Sequence, residues 1–178
     1  AFYHNGRYHL MYLYKRTGSG FSWGHVSSKD LLHWRHHPDT LVPGNGDEGV
    51  FSGGAFVDDD GSAFLSYWML WGAKGIGLAK NRDNNYDQWE KIGSNPVIKS
   101  TEWGITETKD VSGNNLYYGS ADPSNIWKKD GKYYMLTGNL LVLRKYGSRG
   151  KGLPANRDKP ELPKDSINYQ GDWLDLFV

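Results

Sequence analysis

The chain has 178 residues, and 21 lysines and arginines stand against 20 aspartates and glutamates; the net charge of +1 predicts no binding to nucleic acid or to an anionic membrane. There is no cysteine, which excludes a disulfide framework, a thiolate metal site and a cysteine nucleophile, and no apolar run approaches the roughly 20 residues of a membrane-spanning helix. Aromatic residues make up 15% of the chain and glycine occurs 23 times, a composition typical of a strand-and-turn protein.

Hairpin turns recur along the chain, beginning near its first residues. They are predicted at Asn5-Gly6, Asp60-Gly61 and Asp130-Gly131. In the first two cases the turn glycine is followed 28 positions later by a tryptophan, Trp34 and Trp89 respectively. One such unit cannot bury its own apolar face, so the repeat predicts an array of blades whose function lies where the blades converge.

The first two units share one order of elements: a hairpin, a third strand, a turn ending in tryptophan and a proline-containing outer strand. Residues 7–14 alternate weakly in polarity, which predicts a strand covered on both sides by neighbouring blades. The third strands are predicted at 24–28 and 75–80, and the outer strands at 39–43 and 95–98. With very little helix expected, the pattern predicts four strands per blade, in units of approximately 1–48, 49–119 and 120–178.

The third unit is interrupted by a long polar insertion at approximately 144–171, rich in glycine and proline. The last residues, 173–178, resemble a strand without its partner turn, and the chain begins on a strand at Phe2-Tyr3. We therefore expect the sequence to be a fragment of a larger array of blades. Because an unclosed array leaves edge strands that invite pairing, we also expect self-association through exposed edge strands.

The segment 44–49 matches the pattern G-x-G-x-x-G of dinucleotide-binding loops. Such a site needs a preceding strand and a following helix, so that the pyrophosphate meets the helix N-terminus. The residues that follow, 50–57, read as a strand instead. The motif is therefore interpreted as a turn-rich loop that delivers Phe51 and Ser52 to the rim of a pocket, and no cofactor is predicted.

Two clusters could suggest a metal ion, and neither favours one. His36 and His37 are adjacent, and neighbouring residues of a strand point to opposite faces, so two solvated histidines beside Trp34 are expected. The acidic run 58–60 lacks the ligand spacing of a calcium loop and precedes Gly61 as ordinary turn residues do. No metal site is predicted.

Among the carboxylates, Asp122 is the strongest candidate for a functional residue. It precedes a proline, which favours an extended backbone, and it leads into a strand whose inner end should line the axis of the array. A turn-shaping role and a role in the site are equally compatible with this spacing. Glu102, Glu107 and Asp110 lie in a polar stretch and are expected to be solvated, so no pair of catalytic carboxylates emerges from the residues.

Four blocks of sequence, taken in order, resemble the signature blocks of glycoside hydrolase family 32, the β-fructofuranosidases that include invertases, levanases and inulinases. The blocks are 2–12 (FYHNGRYHLMY), 23–34 (WGHVSSKDLLHW), 49–55 (GVFSGGA) and 121–123 (ADP), and the resemblance covers roughly residues 1–140. The resemblance implies an all-β fold, a five-bladed β-propeller of which this chain covers about three blades. It also implies hydrolysis of a β-fructofuranosidic bond by a retaining double displacement.

Site residues are implied by the same resemblance. Phe51 and Ser52 are similar to the Phe-Ser pair with which the family contacts the sugar. Asp122 is similar to the aspartate of the family's Arg-Asp-Pro block, which binds sugar hydroxyls and stabilises the oxocarbenium-like transition state. Trp23 and His25 match the Trp-Gly-His strand, where a structural role is favoured, and Trp23 is also kept as a candidate substrate-binding residue.

The chain departs from the family pattern at several points. The family's nucleophile is an aspartate just before the segment that matches Phe2-Tyr3, and its acid/base glutamate has no counterpart here, so both are expected outside these 178 residues. Ala121 replaces an arginine and Leu13 replaces a glutamine. The expected partner is an oligo- or polysaccharide containing fructose, and the family slightly favours a secreted or periplasmic location. A non-catalytic carbohydrate-binding propeller, or a propeller scaffold for proteins, is the alternative.

Overall fold

The computed structural model describes residues 1–69, 71–100, 105–109, 112–113, 115–119, 121–138 and 174–177. Every regular element in these ranges is a β-strand. No helix in this part of the chain has the length and apolar character needed to cross a membrane. The predicted insertion at 144–171 lies outside the described residues, as do Glu102 and Asp110.

The first sheet is antiparallel, with four strands in the order of the sequence. Its strands are β1 (Phe2–His4), β2 (Arg7–Lys15), β3 (Phe21–Ser28) and β4 (Trp34–Leu41). β1 and β2 are joined by the two residues Asn5 and Gly6, whose φ angles of 49° and 73° both lie in the left-handed region. A two-residue hairpin with positive φ at both positions matches the right-handed twist of the strands, which is why Asn-Gly occurs here.

The second sheet repeats this arrangement with its fourth strand split in two. Its strands are β5 (Val50–Val57), β6 (Ala63–Met69), β7 (Gly75–Asn81), β8 (Trp89–Lys91) and β9 (Ile98–Lys99). Both β8 and β9 pair with β7, at opposite ends of it. The predicted outer strand at 95–98 is therefore largely a connection, and the outer edge of this sheet is formed by two short strands.

Two further strand groups follow. The hairpin of β10 (Ile105–Lys109) and β11 (Asn115–Gly119) forms a two-stranded sheet. β12 (Trp127–Lys129), β13 (Lys132–Gly138) and β14 (Leu174–Phe177) form a three-stranded one. The turn at Asp130-Gly131 has φ angles of 52° and 74°, so it repeats the backbone of the first hairpin. The division into units at residues 48 and 119 stays a prediction.

The 28-residue repeat has a structural counterpart in the turn before each tryptophan. Leu31 and Tyr86 both have positive φ, 65° and 61°. In each turn the following tryptophan donates its indole N–H to that residue's carbonyl, Trp34 to Leu31 at 3.2 Å and Trp89 to Tyr86 at 3.1 Å. The two turns therefore have the same local fold although their sequences differ.

The hydrophobic core lies between the first two sheets. Its buried members come from both sheets: Trp23, Leu41, Val50, Ala55, Leu65, Tyr67, Met69 and Ala79. On β2, His9 faces this side and is buried, whereas Tyr8, Leu10 and Tyr12 on the opposite face are each about 40% exposed. Within the described residues the second sheet covers one face of this strand, and coverage of the other face stays a prediction.

Candidate active site

Trp23 joins the first sheet to the second. It lies near the start of β3, is 6% exposed, and donates its indole N–H to the carbonyl of Phe51 at 3.0 Å. Because Phe51 is the second residue of β5, the hydrogen bond connects the two sheets at the end where both strands begin. Trp23 is thus a core residue whose polar atom fixes the position of the Phe51 backbone.

Phe51 and Ser52 are adjacent on β5 and face different surroundings, as alternation along a strand requires. The exposed Ser52 lines a cavity of ≈ 210 Å³. The other side chains that line it are Ala1, Met11, Leu13, Trp23, Ala55 and Leu65. The structure therefore brings Trp23 and Ser52 together around one cavity, while Phe51 lies outside its described lining.

The ring of Phe51 belongs to an aromatic cluster at the same end of the sheets. Its centroid lies 5.2 Å from Phe21, 5.8 Å from Trp68 and 5.3 Å from Trp71, and the Trp71 contact is edge-on, with an interplanar angle of 85°. Sequence reasoning did not identify Phe21, Trp68 or Trp71. Their only common signal is that each lies at the beginning or end of a strand, and that signal cannot show which strand ends meet.

The loop 44–49 that precedes β5 is a turn, as its interpretation required. Gly44 and Asp47 form an isolated bridge, and the amide of Gly44 donates to the carbonyl of Asp47 at 2.6 Å. The residues that follow form β5, so no helix N-terminus is available for a pyrophosphate. The loop's role is to set where β5 begins.

Asp122 is exposed and adopts a positive φ of 47°, so the expectation of an extended backbone at this residue is wrong. The residues that follow it are anchored to the second sheet. The amide of Ala55 donates to the side-chain oxygen of Asn125 at 2.7 Å, and the Ser66 hydroxyl donates to the carbonyl of Ser124 at 3.1 Å. Aspartate is among the residues other than glycine that tolerate a positive φ, and these contacts fix the segment that follows it.

The backbone of Ser124 and Asn125 can approach β5 this closely because Gly54 has no side chain. A Cβ at Gly54 would lie 2.3 Å from the amide nitrogen of Asn125 and equally close to the carbonyl of Ser124. Gly54 is two residues from Ser52 along β5, so the Asp122 segment reaches the strand that carries the cavity. Asp122 itself lies outside the described lining of that cavity.

A buried histidine cluster lies between the first two sheets, away from the cavity. His9 Nδ1 and His25 Nε2 are 3.0 Å apart, and His25 stacks on His37 with centroids 4.0 Å apart. Burial, followed by the charge of His37, lowers the pKa of His9 to about 4 and that of His25 to about 3. The side chain of His37 is 1% exposed, so the expectation of two solvated histidines is wrong for His37, although His36 is exposed.

His37 also forms a serine–histidine–aspartate arrangement. Its Nε2 lies 2.7 Å from Ser27 Oγ and its Nδ1 lies 2.6 Å from Asp87 Oδ1. These distances suit nucleophilic catalysis, but Ser27 is fully buried and no substrate can reach it. The arrangement is a contact between the two sheets.

The acidic run 58–60 also serves structure. Asp58 accepts a hydrogen bond from Tyr133 at 2.8 Å, and Lys128 contacts Asp58 and Asp59 at 3.3 and 2.6 Å. The amide of Asp59, followed by the Tyr133 hydroxyl, lowers the pKa of Asp58. Among the residues the structure describes, no group of three or more histidine or carboxylate side chains could hold a metal ion.

Comparison with known proteins gives one family. The model of the glycosyl hydrolases family 32 N-terminal domain matches residues 1–147. The sucrose-6-phosphate hydrolase of Klebsiella pneumoniae is 31% identical over 147 residues, which is 75% of this chain and 27% of that protein. The chain therefore spans about a quarter of the length of the curated relatives it matches.

Solved structures of family 32 enzymes are also similar to this chain. A variant of the Bombyx mori family 32 β-fructofuranosidase in complex with sucrose is 27% identical, with a TM-score of 0.55, and the match covers 76% of this chain and 28% of that one. A variant of fructan 1-exohydrolase IIa from Cichorium intybus in complex with 1-kestose is 25% identical, with a TM-score of 0.59, covering 76% and 25%. Such enzymes are five-bladed β-propellers, so the predicted all-β propeller fold is confirmed, and this chain forms part of one.

Proposed function

Because the chain belongs to glycoside hydrolase family 32, we propose that the full-length protein hydrolyses β-fructofuranosides of the sucrose, levan or inulin type, with retention of configuration. One observation carries the proposal: Ser52 and Trp23 line one cavity, and the segment that follows Asp122 is hydrogen-bonded to the strand that holds Ser52. The activities named for its relatives also support this proposal.

The residues of this chain would bind and orient the fructosyl ring. The Ser52 hydroxyl can donate and accept hydrogen bonds with sugar hydroxyls, and Phe51, the preceding residue of the strand, is proposed to offer an apolar ring to the sugar. The Asp122 carboxylate would hold the sugar hydroxyls and stabilise the positive charge that develops on the ring in the transition state. Ala121, buried beside Asp122, contributes no cation to offset that carboxylate.

The two displacement steps need two more carboxyl groups, which we propose lie outside these 178 residues. One attacks the anomeric carbon while the other protonates the departing oxygen, and water then cleaves the glycosyl ester with the second group acting as base. It follows that the 178-residue chain by itself should be inactive. Turnover of sucrose, inulin or levan by this chain alone would contradict the assignment.

Replacing Asp122 by asparagine in the full-length protein tests the role of its charge. We expect kcat to fall by about 100-fold or more, because loss of one group that stabilises transition-state charge typically has this effect. Steady-state kinetics with sucrose and with inulin measure it. Asp130→Asn is the matched control, because Asp130 lies in a surface hairpin with positive φ that asparagine also tolerates.

Unchanged kinetics for Asp122→Asn would rule out the proposed role of Asp122. A full-length protein that binds fructosides without turnover would instead support the carbohydrate-binding alternative.

We also propose that the chain self-associates through exposed edge strands. β4 forms one edge of the first sheet and is unpaired on its outer side within the described residues, with Trp34 38% exposed at its start. Unpaired N–H and C=O groups along such an edge favour pairing with a second chain. Sedimentation velocity over a range of protein concentrations measures the association, and a monomer at all concentrations would contradict it.

A further inference from the structure

Trp71 is an exposed indole whose position is set by contacts from several directions. It follows β6, whose residue Met69 pairs with Val50, so Trp71 lies at the end of the sheet where β5 begins. Trp71 is 41% exposed, and its ring meets the Phe51 ring edge-on at 5.3 Å. A Cβ at Gly49 would lie 2.8 Å from the Phe51 ring and 2.9 Å from the Trp71 ring, so only glycine allows this contact.

The backbone beside Trp71 is tied to the loop 44–49. The amide of Glu48 donates to the carbonyl of Trp71 at 2.9 Å, and the amide of Ala73 donates to the carbonyl of Gly46 at 2.8 Å. Asp47 forms a bridge with Gly72 between these two bonds. The position of Trp71 therefore depends on the position of this loop.

The loop in turn is held by a buried ion pair. Asp47 is fully buried, and its Oδ1 lies 2.6 Å from Nζ of Lys91, whose side chain is 15% exposed. The same ammonium donates to the carbonyls of Val42 and Gly44, at 2.5 and 3.0 Å. Tyr67 donates to the second carboxylate oxygen at 2.9 Å, so both oxygens are occupied.

A buried ion pair of this kind is weak evidence for a gain in stability, because desolvation of the two charges offsets their attraction. The pair instead fixes the position of the loop, because one ammonium contacts the carbonyl oxygens of Val42 and Gly44 and a carboxylate oxygen of Asp47. The pair does not enter the proposed chemistry, and its contacts lead to the aromatic cluster around Phe51, the neighbour of Ser52 on β5.

We propose that Trp71, positioned by the Asp47–Lys91 pair, stacks against the sugar ring attached to the fructosyl unit and so determines which leaving groups the enzyme prefers. This inference rests on the proposed function. The flat, partly exposed indole beside Phe51 suits the apolar face of a pyranose or furanose ring. Lys91 and Asp47 act through Trp71 and are positioning residues.

The test compares two substrates of the full-length protein: sucrose, which carries a second sugar ring, and methyl β-fructofuranoside, which does not. For Trp71→Ala we expect KM for sucrose to rise about tenfold and KM for the methyl fructoside to change less than about twofold, since only sucrose loses a stacking partner. Trp34→Ala is the matched control, because Trp34 has a similar exposure of 38% and lies at the opposite end of β3 from Phe21.

The positioning role is tested by Asp47→Asn combined with Lys91→Met. Removing both charges avoids leaving either one buried without a partner, so this double variant should fold. The double variant should raise KM for sucrose selectively although Trp71 is intact. The control combines Arg82→Met with Glu90→Gln, which removes an exposed ion pair, and it should leave KM for sucrose unchanged. An unchanged KM in the double variant would overturn the positioning role.

Equal losses on both substrates in Trp71→Ala, or no loss, would overturn the stacking role. If the wild-type protein hydrolyses neither of these substrates nor inulin or levan, the proposed function itself fails. The two failures are therefore distinguishable.

Discussion

Gly54 is the residue at which two distant parts of the chain come into backbone contact. Its missing side chain admits the backbone of Ser124 and Asn125 at a distance that any Cβ would block. The same contact fixes the segment that follows Asp122, whose φ is positive. At the scale of single residues, the candidate site therefore depends as much on an absent side chain as on Ser52 or Trp23.

Gly54→Ala should consequently destabilise the protein and displace the Asp122 segment. We expect the free energy of unfolding to fall by about 2 kcal/mol, within the range found for overpacked interiors, and kcat/KM of the full-length protein to fall with it. Urea denaturation measures the first effect. Gly93→Ala is the control, because no atom lies within 4 Å of a Cβ placed there and its φ is not positive. Equal stability of the two variants would show that the contact is unimportant.

At the scale of elements, the turns before Trp34 and Trp89 show how one backbone fold is reached with different side chains. Both turns place a residue other than glycine at positive φ and accept an indole N–H at its carbonyl. Leu31 is 53% exposed, whereas Tyr86 is 4% exposed and packs 4.3 Å from the ring of His9. The same backbone strain is therefore offset by packing in the second turn and not in the first.

Glycine at these two positions should have opposite effects. Leu31→Gly removes strain and loses little buried surface, so the protein should be stabilised by about 0.5 to 1 kcal/mol. Tyr86→Gly removes a buried ring as well and should destabilise by about 3 kcal/mol or more. Denaturant unfolding of both variants measures the difference. A change of the same sign in both would contradict the claim that packing offsets the strain only in the second turn.

At the scale of the whole molecule, the first two sheets are held together by an apolar core and by the histidine cluster. Asp87, from the second sheet's turn, accepts from His37 at 2.6 Å and from Arg35 at 2.7 Å. Beside these contacts, His9 and His25 are buried and uncharged, with pKa values lowered to about 4 and 3. Acid should therefore weaken the contact between the two sheets, because it favours protonation of these buried histidines.

The stability that these neutral imidazoles contribute should be present above pH 6.5 and lost as the pH falls toward 4. Below pH 6.5 the unfolded chain binds protons at histidine while the folded chain does not, so protonation favours unfolding. For His9 the loss should reach about 2 kcal/mol at pH 5. Denaturation at pH 7 and pH 5 measures it, and His9→Gln should reduce the loss while the exposed His36→Gln should not. An identical pH dependence in all three proteins would contradict this explanation.

The sequence by itself determined the features that depend on neighbouring residues: the hairpins at Asn5-Gly6 and Asp130-Gly131, the tryptophan turns, the all-strand class and the resemblance from which the family follows. Such features are readable because left-handed φ angles and alternation leave local signatures. Only the tertiary structure decided which strand ends meet. The bonds from Trp23 to Phe51, from Lys91 to Asp47 and from Ala55 to Asn125 span 28, 44 and 70 positions. No local pattern encodes contacts of that range, because they arise from the packing of strands and loops that are distant in sequence.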